Sequence, residues 1–198
     1  MSKLTFNEEK HLYLHDGQPI ISVTQILQAT GMIDFSMVRA DVLDRACKLG
    51  TATHKATQFD DKGTLDEGSL SEGIVPYLNA WRKFKSDYNA YMLCDELMVH
   101  SHRYDFAGAL DRVAVIKSKN ILIDIKTSTA IYPATRLQTA LYKIAYEEET
   151  GNKIDGRWCI QLKENGTYKT EVYKNRTDEM YAISARKVYQ FRKENGLL

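Results

Sequence analysis

The chain has 198 residues, 43% of them hydrophobic and 27% charged, with a formal net charge of +1. That is room for a substantial core in an ordinary globular composition, read as a single domain over residues 1–198. The balanced charge excludes a broadly basic protein that coats nucleic acid, though not local patches.

Residues 4–21 predict a small β-hairpin, with Leu12, Leu14 and Ile20 or Ile21 flanking the turn dipeptide Asp16-Gly17. Ser22 caps a short helix to about Thr30, ended by Gly31, so residues 1–33 are expected to pack on the core as a hairpin plus helix. His11 and His15 are read as surface strand residues rather than ligands. A longer helix is expected from Asp34 or Ser36 to about Phe59. Leu43, Cys47, Gly50 and His54 fall at i, i+4, i+7 and i+11 along it, one stripe that ends in an imidazole. Gly50 would let another element approach. Residues 60–73 read as a polar loop. A helix over about 73–88 carries the aromatic stripe Tyr77, Trp81, Phe84 and Tyr88, taken as core.

A strand over 91–100, with Glu96 in its middle, leads into a hairpin over 108–126 whose turn is placed at Lys117 to Asn120. Pairing Lys117 with Asn120 sets Asp111 opposite Lys126. Side chains alternate across a strand, so Asp111, Asp124 and Lys126 emerge on one face. The other face carries Leu110, Ala114, Ile116, Ile121, Ile123 and Ile125. Apolar residues on both faces imply a sheet covered on both sides. After Pro133 a helix to about Thr150 has Leu137, Leu141 and Ile144 on its apolar side, with Gln138 and Tyr142 beside them at i, i+4. Strands over 154–162 and 168–173 flank Asn165-Gly166, a second hairpin. A last helix from Thr177 or Asp178 to about Glu194 is expected to bury Met180, Ile183, Val188 and Phe191 and to expose Lys187, Arg192 and Lys193 as solvated surface.

Cys47, Cys94 and Cys159 are far apart, with no CxxC or Cys/His zinc spacing, as suits reduced thiols in a cytosol. No apolar leader or membrane-length run occurs, so a cytoplasmic protein, intact from Met1 and without a membrane partner, is expected. Asp111, Asp124 and the carbonyl of Ile125 could supply oxygens to a hard divalent cation. Glu96 could add another oxygen, and His54 a nitrogen that would favour Mn²⁺ over Mg²⁺. Such an ion neutralises charge on a phosphoryl oxygen, and Lys126 could stabilise a transition state beside it. A bare Asp-x-Lys would equally be an exposed salt bridge of Asp111 with Lys126, but the flanking isoleucines suggest burial.

Five elements together carry a resemblance. They are Gly50-x-x-x-His54, a glutamate at Glu96, Gly108-x-x-Asp111, Asp124-x-Lys126 and Gln138-x-x-x-Tyr142. In this order they resemble the PD-(D/E)xK nuclease superfamily, in particular its RecB-like exonuclease branch, which includes phage recombination exonucleases. The resemblance covers roughly residues 36–175. It implies an α/β (α+β) fold: a central mixed β-sheet with helices on both faces, a restriction-endonuclease-like core, preceded here by the small hairpin. It implies His54, Asp111, Asp124 and the Ile125 carbonyl as ligands of one or two Mg²⁺ or Mn²⁺ ions. Asp111, Asp124, Glu96 and Lys126 would be the catalytic set, and Gln138, Tyr142, Gly50 and Gly108 would shape the site and its grip on DNA. Three cysteines cannot hold the four-cysteine iron–sulfur cluster of some relatives. The function implied is a metal-dependent DNA exonuclease of phage or prophage recombination or repair. DNA, a single-strand annealing protein and a second copy of the chain are the partners to expect. The alternatives are a structure-specific or restriction-type endonuclease and a catalytically silent DNA-binding protein.

Overall fold

The computed structural model describes residues 4–10 and 12–198; His11 lies outside them. Three short strands come first, β1 (Leu4–Asn7), β2 (Leu12–His15) and β3 (Gln18–Ile20), antiparallel in that order. Asp16 and Gly17 join β2 to β3 at φ 48° and 80°, the backbone that a two-residue type I′ turn needs. The expected hairpin is therefore present, with β1 as an unforeseen third strand that sets the Phe6 ring 4.7 Å from Tyr13.

Helix α1 (Val23–Ala29) opens with a capping box, Ser22 and Gln25 each accepting the other's backbone N–H. Helix α2 spans Ala40–Asp61 rather than starting at Asp34 or Ser36. Asp34 Oδ1 accepts the Ser36 N–H at 2.8 Å, a local turn that competes with helix. Only the second half of α2 is covered. Cys47 is exposed and the buried residues are Thr53, Ala56 and Thr57, so the stripe from Leu43 leads into the buried face instead of forming it. A Cβ on Gly50 would meet only Thr127 Oγ1, at an ordinary 3.8 Å, so no element presses on that glycine.

Helix α3 (Val75–Tyr88) follows. Strands β4 (Tyr91–Ser101), β5 (Phe106–Ile116), β6 (Lys119–Lys126), β7 (Gly156–Leu162) and β8 (Tyr168–Tyr173) then form a five-stranded mixed sheet in that order. All neighbours are antiparallel except β6 and β7. Parallel strands need a crossover, and helix α4 (Ala134–Thr150) is that connection. Helix α5 (Thr177–Glu194) follows β8. On one sheet face Ala114, Ile116, Ile121, Ile123 and Ile125 pack with Trp81 and Phe84 of α3. On the other, Val113 and Leu122 pack with Leu141 and Ala145 of α4, Ile26 and Leu27 of α1, and Ala182 and Ala185 of α5. Each buried Ile or Leu contributes roughly 1.5–3 kcal/mol. Leu110 joins this second cluster, not the first as expected: the alternation along β5 breaks between Leu110 and Val113, where its pairing with β6 ends.

The β5–β6 turn is Lys117-Ser118, at φ 50° and 61°, with Ile116 paired to Lys119. That register lies two residues from the expected one. Since side chains repeat every second residue, this even slip keeps Asp124 and Lys126 on one face of β6, but the ladder ends at Arg112 and Ile123 and leaves Asp111 unpaired with β6.

Helix α5 is turned away from its expected face. Met180 is 62% and Phe191 61% exposed, while Asp178, Ala182, Ala185 and Arg186 are buried. Asp178 pairs with Arg157 at 2.7 Å and with Arg136 at 2.6 Å, which draws this side of the helix inward. Arg192 is tied to the Ala29 carbonyl rather than left to solvent. Among the described residues no helix is long and apolar enough to cross a membrane.

Candidate active site

The ladder between β5 and β6 ends at Arg112 and Ile123. Past that point the N–H of Ile125 donates to Asp111 Oδ2 at 2.6 Å instead of to a strand carbonyl. The strands splay, and His54 of α2 enters the gap. Its Nε2 lies 3.2 Å from the Ile125 carbonyl oxygen. Its Nδ1 lies 3.3 Å from Glu96 Oε1 and 3.5 Å from Asp111 Oδ1. The ligating atoms of His54, Glu96 and Asp111 all fall within 4.8 Å of one another. Glu96 reaches this position from a left-handed backbone, φ 44°, which few non-glycine residues adopt and which clusters at functional sites.

Asp124 faces elsewhere. Its carboxylate takes the Lys126 ammonium at 2.9 Å and lies 3.9 Å from the Cys159 thiol on β7. Lys126 also donates to Gln138 Oε1 at 3.2 Å, and Gln138 Nε2 donates to the Tyr142 hydroxyl at 3.4 Å. One chain of contacts thus runs Asp124, Lys126, Gln138, Tyr142, beside the His54, Glu96, Asp111 cluster. Gly108 makes room for it: a Cβ there would stand 2.6 Å from the Tyr142 ring.

Both nitrogens of His54 face acceptors, which favours the imidazolium in the metal-free site; to ligate an ion the ring must release one of those protons. Burial works against that charge, but Asp111 and Glu96 outweigh it and lift the pKa to about 9. Burial, with Asp124 and Glu96 adding to it, raises Asp111 despite the pull of His54 and Lys126. Burial would lower Lys126, yet Asp124 and Asp111 prevail and raise it, so the side chain stays an ammonium. Two carboxylates and an imidazole set around the Ile125 carbonyl are oxygen-rich donors with one nitrogen, a set that fits Mg²⁺ or Mn²⁺.

Several residues of this region were not singled out in the sequence. Arg112 is 0% exposed and serves four groups. Nε bonds Asp61 at 2.7 Å, Nη1 bonds Glu96 at 3.2 Å and the Asp111 carbonyl at 2.6 Å, and Nη2 bonds Thr57 at 3.1 Å. An arginine on the isoleucine-rich face of a strand was the available signal, since such a charge demands partners. Tyr13 of β2 hydrogen-bonds the Ala109 backbone; burial and the nearby Glu96 push its pKa to about 12.

A mixed sheet with helices on both faces and this splayed pair of strands defines a nuclease-like α+β fold. Among solved structures the chain is similar to a protein assigned as an exonuclease from Eubacterium rectale, at 11% identity, covering 91% of this chain and 76% of that one, TM-score 0.51. It is more loosely similar to the alkaline exonuclease of Laribacter hongkongensis, at 10% identity over 90% and 89% of the two chains, TM-score 0.48. The first likeness is one of fold; the second is too loose to add to it. No known family profile matches the chain, and no curated protein matches its sequence.

Proposed function

We propose that the chain is a metal-dependent DNA exonuclease of the PD-(D/E)xK kind, its Mg²⁺ or Mn²⁺ held by His54, Glu96 and Asp111 with the Ile125 carbonyl. The observation that carries the reading is the approach of those three side chains to within 4.8 Å, next to a lysine that keeps its charge. The fold shared with a protein assigned as an exonuclease from Eubacterium rectale supports a nuclease reading. A bound divalent ion supplies Lewis-acid charge at the scissile phosphate. The residues around it do the rest. Asp124 and Gln138 fix the Lys126 ammonium, which then meets charge developing on a phosphoryl oxygen and costs no reorganisation. Asp124 and Asp111 favour the ammonium form of Lys126, so its role in this reading is electrostatic and orienting. Asp124, turned to Lys126, acts through that lysine, and Arg112 keeps Glu96 aimed at the cluster.

The test is digestion of linear DNA labelled at its 5′ or 3′ end, beside covalently closed circles, with Mg²⁺ and with Mn²⁺. Release of label from linear DNA, with circles intact and excess chelator stopping the reaction, is the expected result. Lys126→Ala should lower the rate at least about 10²–10³-fold with the fold retained. Digestion that survives chelation, or full activity in Lys126→Ala, would sink the proposal. Cleavage of closed circles would reassign the same chemistry to an endonuclease.

A further inference from the structure

Away from this site a second set of side chains converges. His15 of β2, His100 of β4 and His102 of the turn that follows bring ligating nitrogens within 4.8 Å of one another. The ring centroids of His15 and His100 are 4.2 Å apart, and those of His100 and His102 4.3 Å. His100 is 4% exposed, and neither of its ring nitrogens has a hydrogen-bond partner; His15 Nε2 is buried and unpartnered as well. Buried polar atoms are nearly always satisfied, so an imidazole with both nitrogens idle needs a reason. The nearest carboxylates do not provide it. Asp105 Oδ1 stands 4.0 Å from His100 Nε2, and Asp16 Oδ2 stands 3.9 Å from His15 Nε2, both beyond hydrogen-bond range.

The frame around the three rings is built rather than loose. On α4, Glu148 accepts from the Ser101 hydroxyl at 2.9 Å and from the Arg103 N–H at 3.2 Å. Its neighbour Glu149 accepts from the His100 N–H at 2.9 Å. These bonds set the end of β4 and the turn that carries His102. The Asp16-Gly17 turn sets the end of β2.

We propose that His15, His100 and His102 bind a Zn²⁺ ion that staples the three-stranded N-terminal sheet to β4. Three imidazoles suit a borderline transition ion, whereas the carboxylate-rich cluster at His54 suits a harder one. Zinc bonds nitrogen at about 2.0–2.1 Å, so tetrahedral ligand atoms lie about 3.4 Å apart. On binding, a spacing of up to 4.8 Å has to close to that value. The fourth position falls to water or to Asp105 or Asp16, already at the rim. The staple also bears on the candidate active site. Tyr13, two residues before His15 and on the same face of β2, lies beside Glu96. An ion at His15 therefore fixes the strand that walls the cluster. None of its ligands belongs to that cluster, so the zinc site stands whether or not the chain is a nuclease.

Calorimetric titration of the full chain with Zn²⁺ alone tests this, in a His54→Ala background that disables the other cluster. One ion per chain should bind. His102→Ala, added to that background, should weaken binding at least about tenfold. His102 is exposed, so its loss leaves the core intact, as circular dichroism would verify. Zn²⁺ should also slow amide hydrogen exchange across residues 12–15 in the His54→Ala protein and not in the double variant. No binding by His54→Ala, undiminished affinity after His102→Ala, or binding without slowed exchange would each overturn the staple.

Discussion

At the scale of single residues the site depends on a side chain that cannot touch a phosphate. Arg112 is fully buried, faces away from Asp111 along β5, and yet joins Asp61, Thr57, Glu96 and the Asp111 backbone. Removing one partner of a buried ion pair leaves a charge in low dielectric without compensation, which costs about 3–5 kcal/mol. Asp61 is 2% exposed and would be in that position, though Lys85 and the Trp81 indole still reach it. Arg112→Met should therefore lower the unfolding free energy measured in urea by an amount of that order. Arg112→Lys should recover little of it, because one ammonium cannot span four acceptors in a fixed fork. If Arg112→Met unfolds at the parent's midpoint, the guanidinium is not what organises this layer. Glu96 adds a separate effect. Its left-handed backbone and its bond from Nη1 go together, so Arg112→Met should also weaken Mn²⁺ binding measured by titration.

At the scale of elements the β5–β6 ribbon fixes where Asp111 and Asp124 stand, and its turn is badly served by sequence. Lys117 and Ser118 both adopt positive φ, a region that costs ordinary residues about 1–2 kcal/mol and that Asn-Gly fills with little strain. Replacing Lys117-Ser118 with Asn-Gly should stabilise the protein by about 1–2 kcal/mol in urea unfolding, with nuclease activity unchanged. Unaltered stability would mean the strands, not the turn, hold the register. The missing Asn-Gly signal is also why the register was read two residues out. On β6 the parity of Asp124 and Lys126, set by alternation along Ile121 to Lys126, survives an even slip; on β5 the alternation breaks between Leu110 and Val113, which pack in the same cluster. For α5 no such protection existed. Met180, Val188 and Phe191 are the larger apolar groups and dominate the helical pattern, but a buried Asp178–Arg157 pair from a distant strand decides which face turns in. Motif order and strand parity singled out His54, Asp111, Asp124 and Lys126 as one group; in the fold His54 stands with Asp111 and Glu96, and Asp124 stands with Lys126. The His15, His100, His102 group was not, since it exists only once β2 lies against β4.

At the scale of the whole molecule the question is what carries His54 to the sheet. Helix α2 packs only by its second half; Met37, just before it, is 95% exposed and Val42 in its first turn 42%. Its C-terminal end is moored by acids. Asp60 pairs with Arg82 at 2.6 Å and Lys85 at 2.7 Å on α3, and Asp61 pairs with Lys85 and with Arg112 on β5. Helix, helix and sheet meet in this network one to two turns beyond His54. Burial acts to raise the pKa of Asp60, but Arg82 and Lys85 outweigh it and hold the group below its ordinary 3.8. A carboxylate lowered on folding stabilises the native state fully above its unfolded pKa, and that contribution is lost as pH falls through the lower folded value. Asp60→Asn keeps the shape and removes the charge. The stability gap between the parent and Asp60→Asn should thus be constant from pH 7 to about pH 5 and narrow progressively below about pH 4. Urea midpoints taken at successive pH values in chelator read it directly. No gap at any pH would show that the Asp60 charge contributes nothing, and that the mooring of α2 rests on Asp61.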